Sequence, residues 1–439
     1  MSTIIPAVSF FDSLRYNLFH MIPYLCRGIF TENRFWVRFW SKYQRDPGAV
    51  KFIGGLRRKY HSEYLYIYML TTKSLLVLAH DGIKRVLEQS PMIYAEAEQK
   101  RKRMSHFQPN AVTISRGQEW QDRRKFNAAV LQNGVHQYAD HFLEIIREEI
   151  ASKTSQGRNI LLAWDDFQEL FEKITLQIIF GKGTNDTPLT DALKKMMLES
   201  NKLLFVGKKS KYFDNFYKKI ANHLASPRDK SLASLCKEVP STTVTKVENQ
   251  IPHWMFAMKD TLVINTVRAM ALIISHPRTE QRVREEMARA DLRSARGIDS
   301  LKYLEGCVQE AMRLWPTTLM LIRETLAEDT GGDAVIPADT QVIIHNGFNH
   351  RDVETHDFAD RFFPDLWLTT NVDYRFNHLS NGPQVCAGKD LALYIAKAVL
   401  ATLFADNRLR LHKPSLDATE PLPYAYDHYS IRIERIPPA

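Results

Sequence analysis

Apolar and polar positions follow two different periods along the chain. Near the N-terminus, YLYIYML and SLLVLA are short runs of β-branched, aromatic and apolar residues separated by the polar TTK, and this composition predicts a pair of strands. A helix is expected to follow at DGIKRVLEQS. After about residue 117, apolar residues recur at spacings of three and four, as in amphipathic helices. The pattern therefore predicts a mainly α protein with a small β portion, an α+β fold.

One later segment, from Pro252 to His276, differs from the amphipathic helices. Its apolar residues fall on nearly every face and include Trp254, Phe256, Met258, Leu262, Val263, Val267, Met270 and Ile273. A helix that is apolar all round is a buried one, and Pro277 is expected to end it because the residue before proline is pushed out of helical geometry. The sequence therefore predicts a long central helix.

The rest of the chain continues the mainly helical pattern. A helix is predicted over LEGCVQEAMRLW, strand and turn over AVIPADTQVIIHNG, and a final helix from near Gly388. No repeat, low-complexity tract or Gly/Ser linker interrupts the chain. We therefore expect one domain over residues 1–439.

Composition and charge narrow the class of protein. The 44% of hydrophobic residues, with 11% aromatic and 25% charged, indicates a large packed core and excludes a disordered chain. The net charge of +9, from 59 basic and 50 acidic residues, is spread over the chain. This modest excess does not indicate a nucleic-acid partner. It suits an acidic protein partner or an anionic membrane face.

The cysteines and the N-terminus bear on location. The four cysteines form no CxxC pair, which argues against a zinc site or a disulfide framework and favours a reducing, cytoplasmic compartment. Asp12, Arg15, His20 and Pro23 interrupt the N-terminal apolar stretches well short of the roughly 20 apolar residues that span a bilayer. We expect no transmembrane segment and no signal peptide. For the aromatic residues of 9–40, packing against the body is favoured over peripheral membrane contact.

A cysteine precedes the final helix in SNGPQVCAGKDLALY. Gly382 and Pro383 predict a turn, Gly388 permits close backbone approach, and Cys386 lies between them. Backbone N–H donors and the helix dipole at such a position favour the thiolate, the form that binds metals. The alternative is that Cys386 is a small apolar filler of the core.

Two pairs of residues, one an ion pair and the other a tryptophan with an arginine, are candidates for ligand binding or structural roles. Glu310 and Arg313 lie on one helical face in an apolar setting, where an ion pair is costly and tends to be kept for structural specificity. Trp120 and Arg124 lie one turn apart and suit a flat ligand that carries carboxylates. The plainer alternative for Glu310 and Arg313 is a surface ion pair. For Trp120 and Arg124 it is a core tryptophan beside a solvated arginine.

Polar residues also occur in the middle of the central helix. Asp260 and Thr261 are adjacent in MFAMKDTLVI. A buried carboxylate must find a partner or shift its pKa, and a neighbouring hydroxyl can relay protons. A structural, hydrogen-bonded pair is the alternative.

Taken together and in this order, these features resemble the cytochrome P-450 family over essentially the whole chain. The resemblance implies the cytochrome P-450 fold as a single haem-enclosing domain, with haem b (iron protoporphyrin IX) as cofactor. It implies that Cys386 binds the iron, that Asp260 and Thr261 are catalytic, and that Glu310 and Arg313 are structural. The remaining cofactor-binding residues that it implies are Trp120, Arg124 and Arg323 at the haem propionates, and Gly382 and Gly388 in the cysteine loop.

The chain also departs from the family pattern at four positions. Leu379 and Gln384 stand where members usually have phenylalanine and arginine in the cysteine loop. Leu366 stands where an arginine usually completes a triad with Glu310 and Arg313, so we expect Arg361 or a nearby histidine to substitute. Met258 replaces a glycine of the central helix.

The function that the resemblance implies is a monooxygenase. It would insert one atom of dioxygen into a small apolar organic substrate, with electrons from a separate ferredoxin or flavodoxin-type donor, as in soluble bacterial members. Met258 and the altered cysteine loop motivate an alternative, a haem-thiolate peroxygenase or isomerase that needs no donor. An alternative of another class is a non-enzymatic helical protein that binds nucleic acid or membrane through KRKR at 100–103 and GKKSKY at 207–212, although such runs are more typical of solvated surface.

Overall fold

The structure is a computed structural model that describes residues 4–43, 48–154, 160–202, 208–332, 334–369, 372, 374–405 and 407–436. Its first part is helical. The helices there are α1 (Phe10–Tyr16), α2 (Ile22–Arg27), α3 (Arg34–Tyr43) and α4 (Gly48–Tyr60), with a π-helical turn at Asn17–Met21 between the first two.

The strands form two sheets in the described part of the chain. They are β1 (Tyr64–Met69), β2 (Thr72–Val77), β3 (Tyr94–Glu96), β4 (Ile160–Ala163), β5 (Leu321–Thr325), β6 (Gln341–Ile344), β7 (Arg408–Lys413) and β8 (Arg432–Ile436). The larger sheet has the order β1-β2-β6-β5-β3, and the smaller one the order β4-β8-β7. The predicted strand pair is confirmed, because β1 and β2 are antiparallel from Tyr64 opposite Val77 to Met69 opposite Thr72. Strands β2 and β6 are parallel, and the other pairs are antiparallel.

Helices dominate the middle of the chain, as the periodicity predicts. They are α5 (His80–Glu88), α6 (Glu98–Met104), α7 (Gly117–Thr154), α8 (Trp164–Phe180), α9 (Thr187–Ser200), α10 (Phe213–Ala225) and α11 (Leu232–Glu238). Helix α7 has 38 residues and begins at Gly117, where the predicted helical spacing starts. The helical pattern that α9 begins continues in the sequence to Phe205, but residues 203–207 lie outside the described part, as does the first residue of GKKSKY.

The predicted central helix is present but contains a distortion. It consists of α12 (Ile251–Phe256), a π-helical turn at Ala257–Thr261 and α13 (Leu262–Ser275). Residues 262–273 are all buried, as a helix that is apolar on every face requires. The His276–Pro277 step ends the helix as predicted, and α14 begins at Pro277.

The C-terminal half packs around this central helix. Its further helices are α14 (Pro277–Ala288), α15 (Ala295–Asp299), α16 (Lys302–Leu314), α17 (Asn346–Asn349), α18 (Leu366–Thr369) and α19 (Lys389–Ala405). Short 3₁₀ turns occur at Val112–Ile114, Val247–Asn249, Gly382–Gln384 and His428–Ser430. Helix α13 packs on α16 and α19, and α19 packs on α7. The cysteine loop at the start of α19 therefore lies beside the largest apolar cluster of the protein.

The N-terminal aromatic residues divide into two groups. Tyr16 and Phe30 pack against the body and are buried, as expected, but Phe10 and Phe11 are 75% and 73% exposed. The expectation that these aromatic residues pack against the body is therefore wrong for Phe10 and Phe11. None of the helices in the described ranges is long and apolar enough to cross a bilayer.

Candidate active site

The cysteine loop is fixed to helix α5. Gly382 has a φ of +65°, and a Cβ atom there would lie 2.5 Å from the carbonyl oxygen of Leu87, so the left-handed conformation and the close approach both require glycine. The backbone N–H of Cys386 donates to the carbonyl oxygen of Leu379 at 2.8 Å. These contacts present the thiol between the 3₁₀ turn at Gly382 and the first turn of α19.

The thiol of Cys386 is unpaired and exposed. Desolvation by the surrounding protein is the largest influence on its pKa and raises it, while the N–H of Gly388 and the charges of Arg124 and Lys389 oppose this effect. A thiol whose pKa is raised stays protonated at neutral pH, and binding of a metal cation deprotonates it. The other three cysteines are also free thiols, and Cys236 and Cys307 are buried.

Arg124 lies beside this loop, where the sequence predicts a cofactor-binding residue. Its Nη1 atom donates to the carbonyl oxygen of Val385 at 2.5 Å. Burial lowers the pKa of the Arg124 guanidinium, and the neighbouring Cys386 acts in the opposite direction. Trp120 lies one turn earlier on α7 and is partly buried. Helix α7 therefore brings one of the two predicted residues into contact with the cysteine loop.

Arg323 lies on β5 in a cluster of cationic side chains. It is buried and forms an ion pair with Glu96 on β3, with Nη1 and Oε1 2.9 Å apart. Lys100 also binds the Glu96 carboxylate, at 2.7 Å, and Arg116 donates to the Glu96 carbonyl oxygen at 2.6 Å. The Nε atoms of Arg116 and Arg323 have no hydrogen-bond partner among the described residues. The cluster therefore has cationic donors to spare for an anion.

Glu310 and Arg313 form a fully buried ion pair on α16. Two parallel hydrogen bonds of 2.8 and 2.7 Å join the guanidinium to the carboxylate. Arg313 also donates to three backbone carbonyl groups, of His350, Ala359 and Arg361. The indole Nε1 of Trp367 donates to Glu310 at 3.0 Å. The expectation that the side chain of Arg361 or a histidine completes the group is therefore wrong, since Arg361 contributes its carbonyl oxygen and Trp367 supplies the further donor.

Asp260 and Thr261 lie at the end of the π-helical turn. The Nζ of Lys259 lies 4.0 Å from Asp260 and 3.5 Å from Glu172. Desolvation is the largest influence on the pKa of Asp260 and raises it, while the charges of Lys259 and Lys194 lower it. A carboxyl group with a raised pKa can hold a proton closer to neutral pH than an exposed aspartate can.

These two residues line a cavity of about 160 Å³. Its walls come from the N-terminal helices, the central helix, the segment after α16 and the segment before β8. Cys386, Arg124, Trp120 and Arg323 are not among its lining residues. The structure therefore places the predicted residues at separate points: Arg124 beside the cysteine loop, Arg323 beside Glu96, and Asp260 with Thr261 at this cavity.

Comparison with known proteins agrees with this architecture. The sequence profile described as cytochrome P450 matches residues 32–250 and 210–421. The chain belongs to the cytochrome P-450 family. It is 29% identical over 166 residues to Aromatase 3 of Sus scrofa, covering 37% of this chain and 32% of that protein. It is 27% identical over 172 residues to Cyclooctat-9-en-7-ol 5-monooxygenase of Streptomyces melanosporofaciens, covering 38% of each. The matched stretches thus span about a third of these relatives.

The fold matches a solved cytochrome P-450 over most of its length. The structure of retinoic acid-bound cyanobacterial CYP120A1 has a TM-score of 0.70 at 16% identity, with 88% of this chain and 94% of that one covered. The predicted family and the predicted mainly α fold with a small β portion are confirmed.

Membership of the cytochrome P-450 family implies haem as the cofactor, as the sequence predicts, and the residues present fit this group. Haem needs one axial ligand and partners for its two carboxylates. The unpaired thiol of Cys386 suits the iron. The buried Nε atoms of Arg116 and Arg323, which have no partner in the described ranges, suit the carboxylates.

The basic runs are partly neutralised by neighbouring acids. Within 100–103, Lys100 pairs with Glu96, and Arg101 and Lys102 with Glu98. These contacts suit a structured helix surface, in agreement with the plainer interpretation of the run.

Several charged residues of the cavity escaped the sequence analysis. Arg27 and Glu32, which are close in sequence, come together there or at its edge with the distant Arg268 and His428. A signal was present for Arg268 alone, because it is a cation inside an otherwise apolar helix. The others lie in segments with no periodic pattern to indicate burial.

Proposed function

We propose that this cytochrome P-450 is a haem-thiolate monooxygenase that works in the cytoplasm and transfers one oxygen atom of dioxygen to an apolar organic substrate. The observation that carries the proposal is the free, exposed thiol of Cys386 between Gly382 and α19, with Arg124 beside it. When bound through this thiolate, haem supplies dioxygen activation, and the sulfur pushes electron density to the iron.

The residues of the chain have distinct proposed roles. Cys386 would supply the sulfur ligand of the haem iron, and the backbone contacts of its loop hold it. Trp120, Arg124 and Arg323 would bind the haem carboxylates, with Arg116 beside Arg323 as a further donor. Gly382 and Gly388 allow the loop to approach the cofactor. Glu310 and Arg313 hold the segment that precedes the loop, since the pair bonds to backbone groups at His350, Ala359, Arg361 and Phe363.

Asp260 and Thr261 are proposed as the proton-carrying groups. The raised pKa of Asp260 lets the carboxyl hold and release a proton near its neighbours Lys259 and Lys194. The cavity that it shares with Thr261 has apolar walls that include Phe256, Ile264 and Trp315. These side chains support the apolar part of a substrate, while charged lining residues such as Glu32 and Arg268 make the rest of the wall polar.

The test is the carbon monoxide difference spectrum of the reduced holoprotein. We expect Cys386→Ala to abolish the haem-thiolate band, because the iron loses its sulfur ligand. Cys26→Ala removes another free thiol and serves as the matched control, which we expect to retain the band. An unchanged band in the Cys386 variant would refute the proposed ligand.

The same preparation distinguishes the source of electrons. We propose a separate ferredoxin or flavodoxin-type donor, supported by the basic excess of +9, which suits an acidic partner. Turnover is expected with a ferredoxin system and dioxygen. Turnover driven by hydrogen peroxide alone, with none from the ferredoxin system, would instead favour the peroxygenase alternative that Met258 motivates.

A further inference from the structure

We propose that Glu172 and Lys259 form a proton path that leads from the protein surface to Asp260. This inference rests on the proposed function, in which Asp260 and Thr261 carry protons, and it names the residues that deliver protons to this pair. The path begins at Glu172 on α8, passes through the side chain of Lys259 in the π-helical turn, and ends at Asp260 in the cavity wall.

The first argument is the position of the Lys259 side chain. It is only 5% exposed, although an ammonium group is costly to bury without partners. Its Nζ atom lies 3.5 Å from Oε2 of Glu172 and 4.0 Å from Oδ1 of Asp260. The ammonium group is therefore within reach of two carboxyl groups, and the flexible stem of lysine lets Nζ close either gap to hydrogen-bond distance.

Glu172 connects this lysine to the surface. Its side chain is 21% exposed, so protons from solvent reach the Glu172 carboxyl group before they reach the buried ammonium group. Asp260 lines the cavity, and a substrate bound there covers it from that side. Protons that reach Asp260 then pass through the protein, and the side chain of Lys259 offers the route from Glu172.

The second argument is the charge balance of these three side chains. Glu172 and Asp260 together carry two negative charges when both are ionised, against one positive charge on Lys259. Charges that are shielded from water are most stable when they cancel, so the group holds one further proton, shared by the two carboxyl groups. The raised pKa of Asp260, caused mainly by burial, agrees with this balance.

Other charged groups near Asp260 are screened or paired. Lys194 on α9 acts on Asp260, but its side chain is exposed, and solvent weakens the effect of its charge. Glu32 and Arg268 line the same cavity and interact with each other. The extra negative charge of the two carboxyl groups is therefore left to a proton.

The third argument is the hydrogen bonding of Thr190, which is 1% exposed. Its hydroxyl oxygen lies 2.5 Å from Oε1 of Glu172 and 2.9 Å from the carbonyl oxygen of Thr187. A hydroxyl group has one proton and donates fully to one of these oxygens at a time. When Glu172 is protonated, it donates to Thr190, and Thr190 donates to Thr187. Thr190 therefore accommodates a proton on Glu172, at the outer end of the path.

The proposed step moves one proton and no electrons. Once Asp260 has released a proton into the cavity, the Lys259 ammonium group gives it another, so that an N–H bond breaks and an O–H bond forms. The Glu172 carboxyl group then returns a proton to the amine of Lys259 and regains one from solvent. One proton has passed from solvent to Asp260, and Glu172 and Lys259 are as they were at the start.

Infrared spectroscopy of the holoprotein tests the shared proton without turnover. A protonated carboxyl group has a C=O stretching band that a carboxylate lacks. We expect one such band from this group at neutral pH. Glu172→Gln and Asp260→Asn should each remove it, because the remaining carboxylate then balances Lys259. Lys259→Met removes the cation and should strengthen the band. Equal carboxyl bands in the parent and in all three variants would overturn the inference.

Dioxygen consumption by the holoprotein with a ferredoxin system tests the movement of the proton. Lys259→Arg keeps the positive charge, but arginine does not release a proton in proteins. We expect this variant to keep the carbon monoxide band and to consume dioxygen at least about tenfold more slowly. Its solvent isotope effect should be larger, because proton transfer then limits the rate. The matched control, Lys173→Arg, changes a partly exposed lysine of α8 that pairs with Glu169 and should behave like the parent.

A second variant covers the case in which the Lys259 variant does not fold. Glu172→Gln changes a partly exposed side chain, and glutamine can still bind Thr190, but it cannot carry the proton and should slow dioxygen consumption in the same way. Rates and isotope effects like those of the parent in both variants overturn the inference, while a retained carbon monoxide band leaves the proposed function in place. The expected infrared changes in a protein that lacks the carbon monoxide band support the shared proton and refute the haem-thiolate ligand.

Discussion

At the scale of single residues, the buried pair of Glu310 and Arg313 shows what a local pattern can predict. Their spacing of three residues in a helix predicts that the two side chains are neighbours. In the structure Arg313 donates two parallel hydrogen bonds to Glu310. The partner Trp367 is 57 residues further along. No spacing rule relates it to Glu310, since its position depends on how the loop after α17 packs onto α16.

The indole of Trp367 provides a test of this group. Trp367→Phe keeps an aromatic side chain but removes the N–H that donates to Glu310. A buried carboxylate that loses a hydrogen-bond donor lowers the free energy of unfolding by about 1 to 3 kcal/mol. We expect the urea midpoint of the holoprotein to fall accordingly. Arg361→Ala is the control, because it keeps the backbone carbonyl group that Arg313 uses and removes only an exposed side chain. Equal effects of the two substitutions would contradict the role given to the indole.

At the scale of elements, the central helix was predicted with its ends nearly correct, but its π-helical turn was not. The N–H of Leu262 donates to the carbonyl oxygen of Ala257, five residues earlier, and the extra residue rotates the helix faces that follow. In an amphipathic helix, such a rotation would disturb the apolar stripe. Here almost every face of the helix is apolar, so the sequence pattern does not show a rotation of its faces and could not predict the π-helical turn.

Met258 lies within this turn, where the family usually has glycine. Its side chain is 6% exposed and belongs to the main apolar cluster. We expect Met258→Ala to destabilise the fold by about 2 to 5 kcal/mol, because it removes buried methylene groups and leaves a cavity. Met92→Ala, at a methionine that is 64% exposed, should change stability by less than about 0.5 kcal/mol. If both variants unfold at the same urea concentration, the side chain of Met258 does not support the turn.

At the scale of the whole molecule, the sequence predicted the class and order of most elements but not how distant segments meet. The cavity joins residues near Arg27 to residues near Tyr424, at opposite ends of the chain. Periodicity describes one element at a time, whereas this cavity depends on the packing of α2 and α3 against the segment before β8. The sequence therefore predicted Asp260 and Thr261 but not the arginines Arg27 and Arg268 that line the same cavity.

Buried histidines distributed through the protein predict a loss of stability in acid. The Nε2 atom of His345 lies 3.2 Å from Nδ1 of His20, and burial lowers the pKa of His345 to about 4. The pKa of His378 is lowered to about 3 for the same reason. The unfolded chain, with a histidine pKa of about 6.5, binds more protons than the folded protein between these values. Stability is therefore fully present above about pH 6.5 and is lost as the pH falls toward 4.

For His345 alone, this difference amounts to roughly 2 kcal/mol between pH 7 and pH 5. His345→Asn should reduce the pH dependence of the unfolding free energy by that amount. Asparagine can still accept the hydrogen bond that His345 accepts from the N–H of Phe348 at 3.1 Å, so the start of α17 is preserved. The control, His136→Asn, lies on the exposed surface of α7 and should leave the pH dependence unchanged. A variant at His345 with the same acid sensitivity as the parent would show that this imidazole is not kept neutral by its burial, and the acid lability would then have to arise elsewhere.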